Sequence, residues 1–321
     1  MNRLGCLLAV LALTAGCTAT PEVTAPTSVP PMTLSPAGYA SPGATSAPVD
    51  CSANPPAPPD TDRLRVIRGR GHLLVGISQT TYQLSHRDLR DGRISGFEID
   101  LVRAIATELL GPTGPDQVQY VVLPTDKRLD SMLEPGPEAV DLVVADVSYR
   151  CEREVKYQIA YSTRYLRAPQ KLLVRQETDI PPVVGISALA GKRICAAGNT
   201  TSMDYLRASV PEAVSVSVSD SASCMILLQR GEIYGIFTSD VILAGLADQD
   251  TTTRIVDIDP ADPRTPAVDQ MGVVVRRTDR TLLAGVNAAI GRVRADGSLQ
   301  ASYDRYFNAT GRNWRDRIPA G

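Results

Sequence analysis

From Gly71 to Phe307, short apolar runs closed by polar residues alternate with segments whose apolar positions recur at helical spacing, and this alternation constrains the fold more than anything else in the chain. GHLLVGIS (71–78) reads as a first strand. GFEIDLVRAIATELLG then places Ile99, Val102, Ile105, Ala106 and Leu109 on one helical face, with Gly111 and Pro112 as the stop. VQYVVLP (118–124) and VDLVVADVS (140–148) read as further strands, with RLDSML helical between them. After Ile180 the pattern restarts: strand GKRICAAG (191–198), helix TTSMDYLRASV (200–210), strand VSVSVS (214–219), helix SASCMILLQRG (221–231) and strand IYGIFTS (233–239). MGVVVRR (271–277) is a last strand, and 281–307 reads as two helices joined around Gly297. Strands alternating with helices argue open, mostly parallel α/β sheets, and the repeat argues two lobes with a cleft between them.

The chain's beginning is of another kind. MNRLGCLLAVLALTAGC carries Arg3, an apolar run too short to span a membrane comfortably, and small residues before a cysteine. Leu13-Thr14-Ala15-Gly16-Cys17 resembles the bacterial lipobox, which implies cleavage before Cys17, its lipidation, and a protein held at the outer face of the cell membrane. Residues 18–62 hold 11 of the 24 prolines among Ser, Thr, Ala and Gly, too little apolar surface to offset ordering entropy, so an extended tether is expected there and a folded body from about Leu64. Outside the cytoplasm the remaining cysteines should pair. Cys195 and Cys224 fall in one lobe, which favours Cys195 with Cys224 and leaves Cys51 with Cys151.

Most familiar chemistry is excluded. A net charge of −2 gives no reason to expect nucleic acid as a partner. GISALAGKR (185–193) has one residue too many for a phosphate-binding loop, places Arg193 where a hydroxyl should hold magnesium, and precedes a strand. GRGHLLVG has its glycines before the strand rather than after it, and no GxSxG elbow occurs. The two histidines, His72 and His86, lack metal-like spacing, so no metal or cofactor is expected.

What remains lies at strand C-termini, where open α/β sheets bind ligands. Ser148 and Arg153 follow one strand, Asn199, Thr200 and Thr201 open a helix after another, and Asp240 ends a third. A helix N-terminus and a guanidinium suit a carboxylate, and Asp240 suits an ammonium; together they fit a zwitterionic α-amino acid. Taken singly, Asn199-Thr200-Thr201 and Asp240 serve equally well as helix caps, and Arg153 as a solvated charge. Arg150 and Glu154 read as surface charges.

With those residues in hand, the chain resembles the family 3 extracellular solute-binding proteins, the polar amino-acid receptors of ABC transporters, and especially actinobacterial glutamine-binding lipoproteins. GRGHLLVGIS, GFEIDL, SYRCERE followed by YSTRY, LAGKRICAAGNTT, LQRGEI ending in TSD, and RVRADGSLQASYDRYF fall in the family's order. The resemblance implies a type II periplasmic-binding-protein fold: a first lobe over 63–165, a second over 166–268, and a return to the first over 269–321, hinged at YSTRY (161–165) and near Gln270. It implies that Arg153 clamps a ligand α-carboxylate with Ser148 and the Asn199-Thr200-Thr201 loop, and that Asp240 takes the ammonium. Asp146 stands where glycine is usual, Ser78 replaces a common Asp, and Tyr82 at best represents a typical aromatic. Without an anion at Ser78, and with Lys127 and Arg128 near the cleft mouth, an acidic side chain becomes more tolerable, so Asp, Glu, Asn or Gln is the expected ligand class. The expected partner is an ABC permease or a membrane sensor, reached by a monomer. Two other readings stay open: an enzyme like the cyclohexadienyl dehydratases on this scaffold, with Asp146 as its acid or base, and a structural envelope lipoprotein without ligand.

Overall fold

The structure, a computed structural model, describes residues 59–134, 136, 139–308 and 316–319. The leader, Cys17, most of the expected tether and Cys51 lie outside the described residues. Most strands fall into two sheets. The first runs, in spatial order, Val118–Val122, Leu73–Ile77, Leu142–Val143, Val274–Arg276 and Ile159–Tyr161. The second runs Val183–Val184, Thr253–Ile258, Gln170–Arg175, Gly235–Ser239, Arg193–Ala197 and Val214–Val218. Neighbours are parallel except at one strand in each sheet: Val274–Arg276 and Gln170–Arg175 are antiparallel to both their neighbours. Each of these follows a passage of the chain from one sheet to the other. The two passages pair as an antiparallel ribbon, Leu166–Ala168 against Asp269–Met271, with Asp269 opposite Ala168. Each sheet with its helices forms one lobe, and the ribbon joins them.

The helix Phe97–Leu110 buries Ile99, Val102, Ile105, Ala106 and Leu109, and the helices Arg280–Ala295 and Ser298–Tyr306 pack on it. It starts at Gly96, whose φ of 139° and 2.2 Å clearance between an added Cβ and the Leu84 carbonyl admit only glycine. The C-terminal helices therefore complete the first lobe's core, where Phe97, Tyr303 and Phe307 cluster with ring centroids 4.9–6.3 Å apart. In the second lobe, Cys195 and Cys224 are joined, tying the strand Arg193–Ala197 to the helix Ser221–Gln229. Cys151 is also disulfide-bonded.

Three segments depart from the sequence reading. VDLVVADVS forms a strand only over Leu142–Val143. Asp146 has a left-handed backbone (φ 48°) and turns its N–H to Glu98 Oε1 at 2.7 Å, which ends the ladder before Ser148. MGVVVRR is divided: Met271 belongs to the ribbon and Val274–Arg276 to the first sheet. RLDSML makes only a short 3-10 turn, Asp130–Leu133. The helix Arg63–Arg70 and the strands Gln170–Arg175 and Thr253–Ile258 carry no clear periodic signal and were not expected. Among the described residues no helix is long and apolar enough to cross a membrane.

Candidate functional site

The strand ends of the two lobes face each other across a narrow cleft. Its residual cavity is about 20 Å³, lined by Arg128, Asp146 and Ser148 from the first lobe, Thr201 and Ser239 from the second, and Asp269 from the ribbon. That is room for about one water, so any larger molecule needs the lobes to part. A larger cavity of about 330 Å³ lies between the helices Phe97–Leu110 and Ser298–Tyr306, lined by Asp100, Arg103, Leu299 and Arg305. The smaller cleft is the better candidate, because polar groups converge there from strand C-termini.

Arg153 sits in the short helix Cys151–Tyr157 and is buried. Its guanidinium donates to the backbone carbonyls of Ser148 and of Asn199 across the cleft, both at 3.2 Å. Both acceptors are neutral, and burial pushes this guanidinium below its ordinary pKa. A buried cation held on carbonyls retains its attraction for an anion. Asn199, exposed and left-handed at φ 52°, fastens the lobes: its side chain accepts from Tyr157 Oη at 3.0 Å and donates to the Asp126 carbonyl at 3.0 Å. Thr200 is the cap of the helix Thr201–Ser209, its hydroxyl accepting from Met203 N. Thr201 reaches across to the first lobe, its Oγ1 lying 3.1 Å from Ser148 Oγ.

The most heavily bonded group in the cleft is one that sequence reasoning missed. Asp269 is 1% exposed. Its Oδ2 accepts from Ser148 Oγ (3.0 Å), Thr201 Oγ1 (2.9 Å) and Gln170 Nε2 (2.8 Å), while Oδ1 accepts from Arg150 (3.0 Å) and Tyr205 Oη (3.2 Å). Arg150 is thus no idle surface charge; it also lies 4.7 Å over the Tyr205 ring. The irregular DPADPRTPAVDQ segment hid Asp269, and only its place at the start of a crossing strand could have drawn attention to it.

Asp146 also has a partner. Its carboxylate meets the Arg128 guanidinium at 2.9 Å, both side chains buried. Burial raises the Asp146 pKa, opposed by Arg128 and Arg153. Behind it, fully buried Glu98 accepts from Asp146 N and from Tyr165 Oη, and desolvation together with the Asp146 charge pushes its pKa up to about 7. The Glu of GFEIDL, second in its helix, could have signalled this, since an acid on a helix's buried face needs a partner.

Asp240 is placed differently from the sequence expectation. It is the first residue of the helix Asp240–Gln249 and is fully buried, but its Oδ2 accepts from Arg317 at 2.6 Å and lies 3.8 Å from Lys171. Burial pushes its pKa up to about 6 against those two cations. The residue that faces the cleft is its neighbour Ser239, whose buried Oγ has no hydrogen-bond partner among the described residues. Successive residues at a strand end point to opposite sides, so a one-residue offset moves the carboxylate out of the cleft. Ser78 is also outside it: its hydroxyl accepts from Thr81 Oγ1 at 2.8 Å within a local turn, and Tyr82 is partly exposed against His86. Among the described residues no group of three His, Cys, Asp or Glu could hold a metal.

Two α/β lobes joined by a two-stranded ribbon, with hydroxyls, a buried guanidinium and a helix N-terminus converging between them, define a two-lobed solute-binding protein of the type II architecture. The chain belongs to the bacterial extracellular solute-binding proteins, family 3, whose pattern matches residues 73–309. It is 26% identical over 247 residues to the ABC transporter glutamine-binding protein GlnH of Bacillus subtilis, covering 77% of this chain and 85% of that one. It is 26% identical over 251 residues to the L-cystine-binding protein TcyJ of Escherichia coli, covering 78% and 88%. Among solved structures, the solute receptor for L-cysteine of Neisseria gonorrhoeae superposes with a TM-score of 0.69 at 18% identity, covering 80% of this chain and 99% of that one, which shows the shared fold. These relatives are binding proteins of amino-acid transport and not enzymes, and the chain is an amino-acid ABC transporter substrate-binding protein.

Proposed function

We propose that this protein is a lipid-anchored extracytoplasmic receptor for a polar amino acid of the Asp, Glu, Asn and Gln class, which it presents to an ABC permease or a membrane sensor. Arg153, Ser148 and Thr201 take the α-carboxylate, with Asn199 and Thr200 shaping the loop that delivers them; Cys17 carries the lipid. The observation that carries the reading is the buried Arg153 guanidinium, which donates to one carbonyl from each lobe, beside two cleft hydroxyls and a helix N-terminus. Glutamine-binding proteins among the relatives support the class. Within it, Arg128 is neutralised by Asp146, so the cleft offers a ligand side chain no free cation there, which favours the carboxamides over the acids. The same pair argues for binding over dehydration chemistry, since the carboxylate considered as acid or base is held by a guanidinium.

Calorimetry of the purified protein against the proteinogenic amino acids tests this. Heat with glutamine or asparagine, and a shift of at least about tenfold toward glutamate in Asp146→Asn, is the expected outcome. No heat with any polar amino acid sinks the receptor reading.

A further inference from the structure

The cleft's carboxylate donors are already engaged by a carboxylate of the chain itself. Asp269 takes Ser148 and Arg150 from the first lobe and Gln170, Thr201 and Tyr205 from the second, so one side chain ties the two lobes together. A carboxylate has about four acceptor positions, and five donors saturate them. Each hydroxyl has a single proton. While Ser148 and Thr201 donate to Asp269 Oδ2 at 3.0 and 2.9 Å, neither can donate to a second carboxylate, and two carboxylates at one site repel. Asp269 opens the strand Asp269–Met271 of the connecting ribbon, which brings its carboxylate in from the hinge side.

We propose that Asp269 is a built-in substitute for the ligand carboxylate: it holds the lobes together through the donors the ligand needs, and an incoming amino acid binds by exchanging its own α-carboxylate for that of Asp269. This rests on the receptor reading above and adds to it a residue that sets affinity. Occupancy of the donors by Asp269 lowers the fraction of molecules able to bind, and the apparent affinity falls by that fraction. Bonds from Gln170, Arg150 and Tyr205, which do not depend on the shared hydroxyls, keep the displaced carboxylate from becoming an unpaired buried charge.

The experiment compares wild type with Asp269→Ala, using glutamine as the probe in calorimetry and small-angle X-ray scattering without any amino acid. The expected result is a glutamine affinity at least about tenfold higher in the variant, from removal of the competitor, together with a larger radius of gyration as the lobes part. An affinity that is unchanged or lower, or a radius of gyration equal to wild type, overturns the proposal; a lower affinity would assign Asp269 to the ligand ammonium instead. Should Asp269→Ala fail to fold, Asp269→Asn keeps the side chain's size and removes the charge that competes with the ligand carboxylate. The same two changes are then expected at about threefold in affinity, and their absence is equally decisive. If neither protein binds glutamine, asparagine, glutamate or aspartate, the receptor reading fails, and the scattering alone decides the Asp269 bridge.

Discussion

Two buried aspartates lie near the ribbon, and they are held in opposite ways. Asp240, outside the cleft, depends on two cations, Arg317 at 2.6 Å and Lys171 at 3.8 Å, and its Oδ1 has no hydrogen-bond partner among the described residues. Asp269, inside it, shares its charge among five donors, of which only Arg150 is a cation. The contrast separates two uses of a buried carboxylate. A concentrated ion pair is sensitive to pH and to the loss of one partner, as befits the attachment of the C-terminal segment 316–319. A distributed set of mostly neutral donors can be given up one at a time, as befits a group in a cleft that must open.

The largest effect expected from this contrast is at Arg317. Arg317→Ala leaves Asp240 a buried charge facing only Lys171, and should lower unfolding free energy at pH 8 by on the order of 3 kcal/mol in urea titrations. At pH 5 the loss should shrink to below about 1 kcal/mol, because Asp240, with a pKa of about 6, is then protonated. A loss independent of pH would break the comparison.

Next in size is the pH dependence of the wild type. Glu98 and Asp240 have folded pKa values of about 7 and about 6, above their ordinary 4.5 and 3.8. Between the unfolded and folded values the folded state binds more protons, so these groups destabilise the protein above pH 7 and the burden disappears as pH falls toward 4. Glu98→Gln retains an acceptor for Asp146 N and Tyr165 Oη and removes the charge. It should flatten the fall in stability between about pH 4.5 and 7 by roughly 1–3 kcal/mol, read from denaturation at each pH. An unchanged slope would mean Glu98 ionises as an ordinary carboxyl.

The smallest effect belongs to Asp269. Tyr205→Phe removes one donor at 3.2 Å and leaves four, so unfolding free energy should change by about 0.5–1.5 kcal/mol. A loss above about 3 kcal/mol would show that the donors act as one inseparable unit and would erase the contrast with Asp240.

Much of the scaffold was legible in the sequence, since helical and strand periodicity are local properties. The helix with Ile99, Val102 and Ile105 inward, the strand–helix restart after Ile180 and the Cys195–Cys224 pairing all follow from neighbours along the chain or from membership of one lobe. Placement in the cleft was legible only where groups sit at or just after strand ends that can be counted: Ser148 and Thr201 line it, and Arg153 bridges Ser148 and Asn199 beside it. Partner choice was not legible. Asp269 meets Ser148 across 121 residues and Thr201 across 68, and Asp240 meets Arg317 across 77. No local pattern encodes such meetings, and a one-residue shift at Ser239–Asp240 was enough to exchange the cleft-facing residue for the one behind it. Asp146 finds no partner among its sequence neighbours; Arg128, 18 positions earlier, supplies it.

A crystal structure of the protein grown with glutamine tests the central claim most directly. The expected result is glutamine between the lobes, with its α-carboxylate on Arg153, Ser148 Oγ and Thr201 Oγ1 and the Asp269 side chain moved off those hydroxyls. Glutamine bound elsewhere, for instance in the cavity between Phe97–Leu110 and Ser298–Tyr306, with Asp269 still on Ser148 and Thr201, would contradict it.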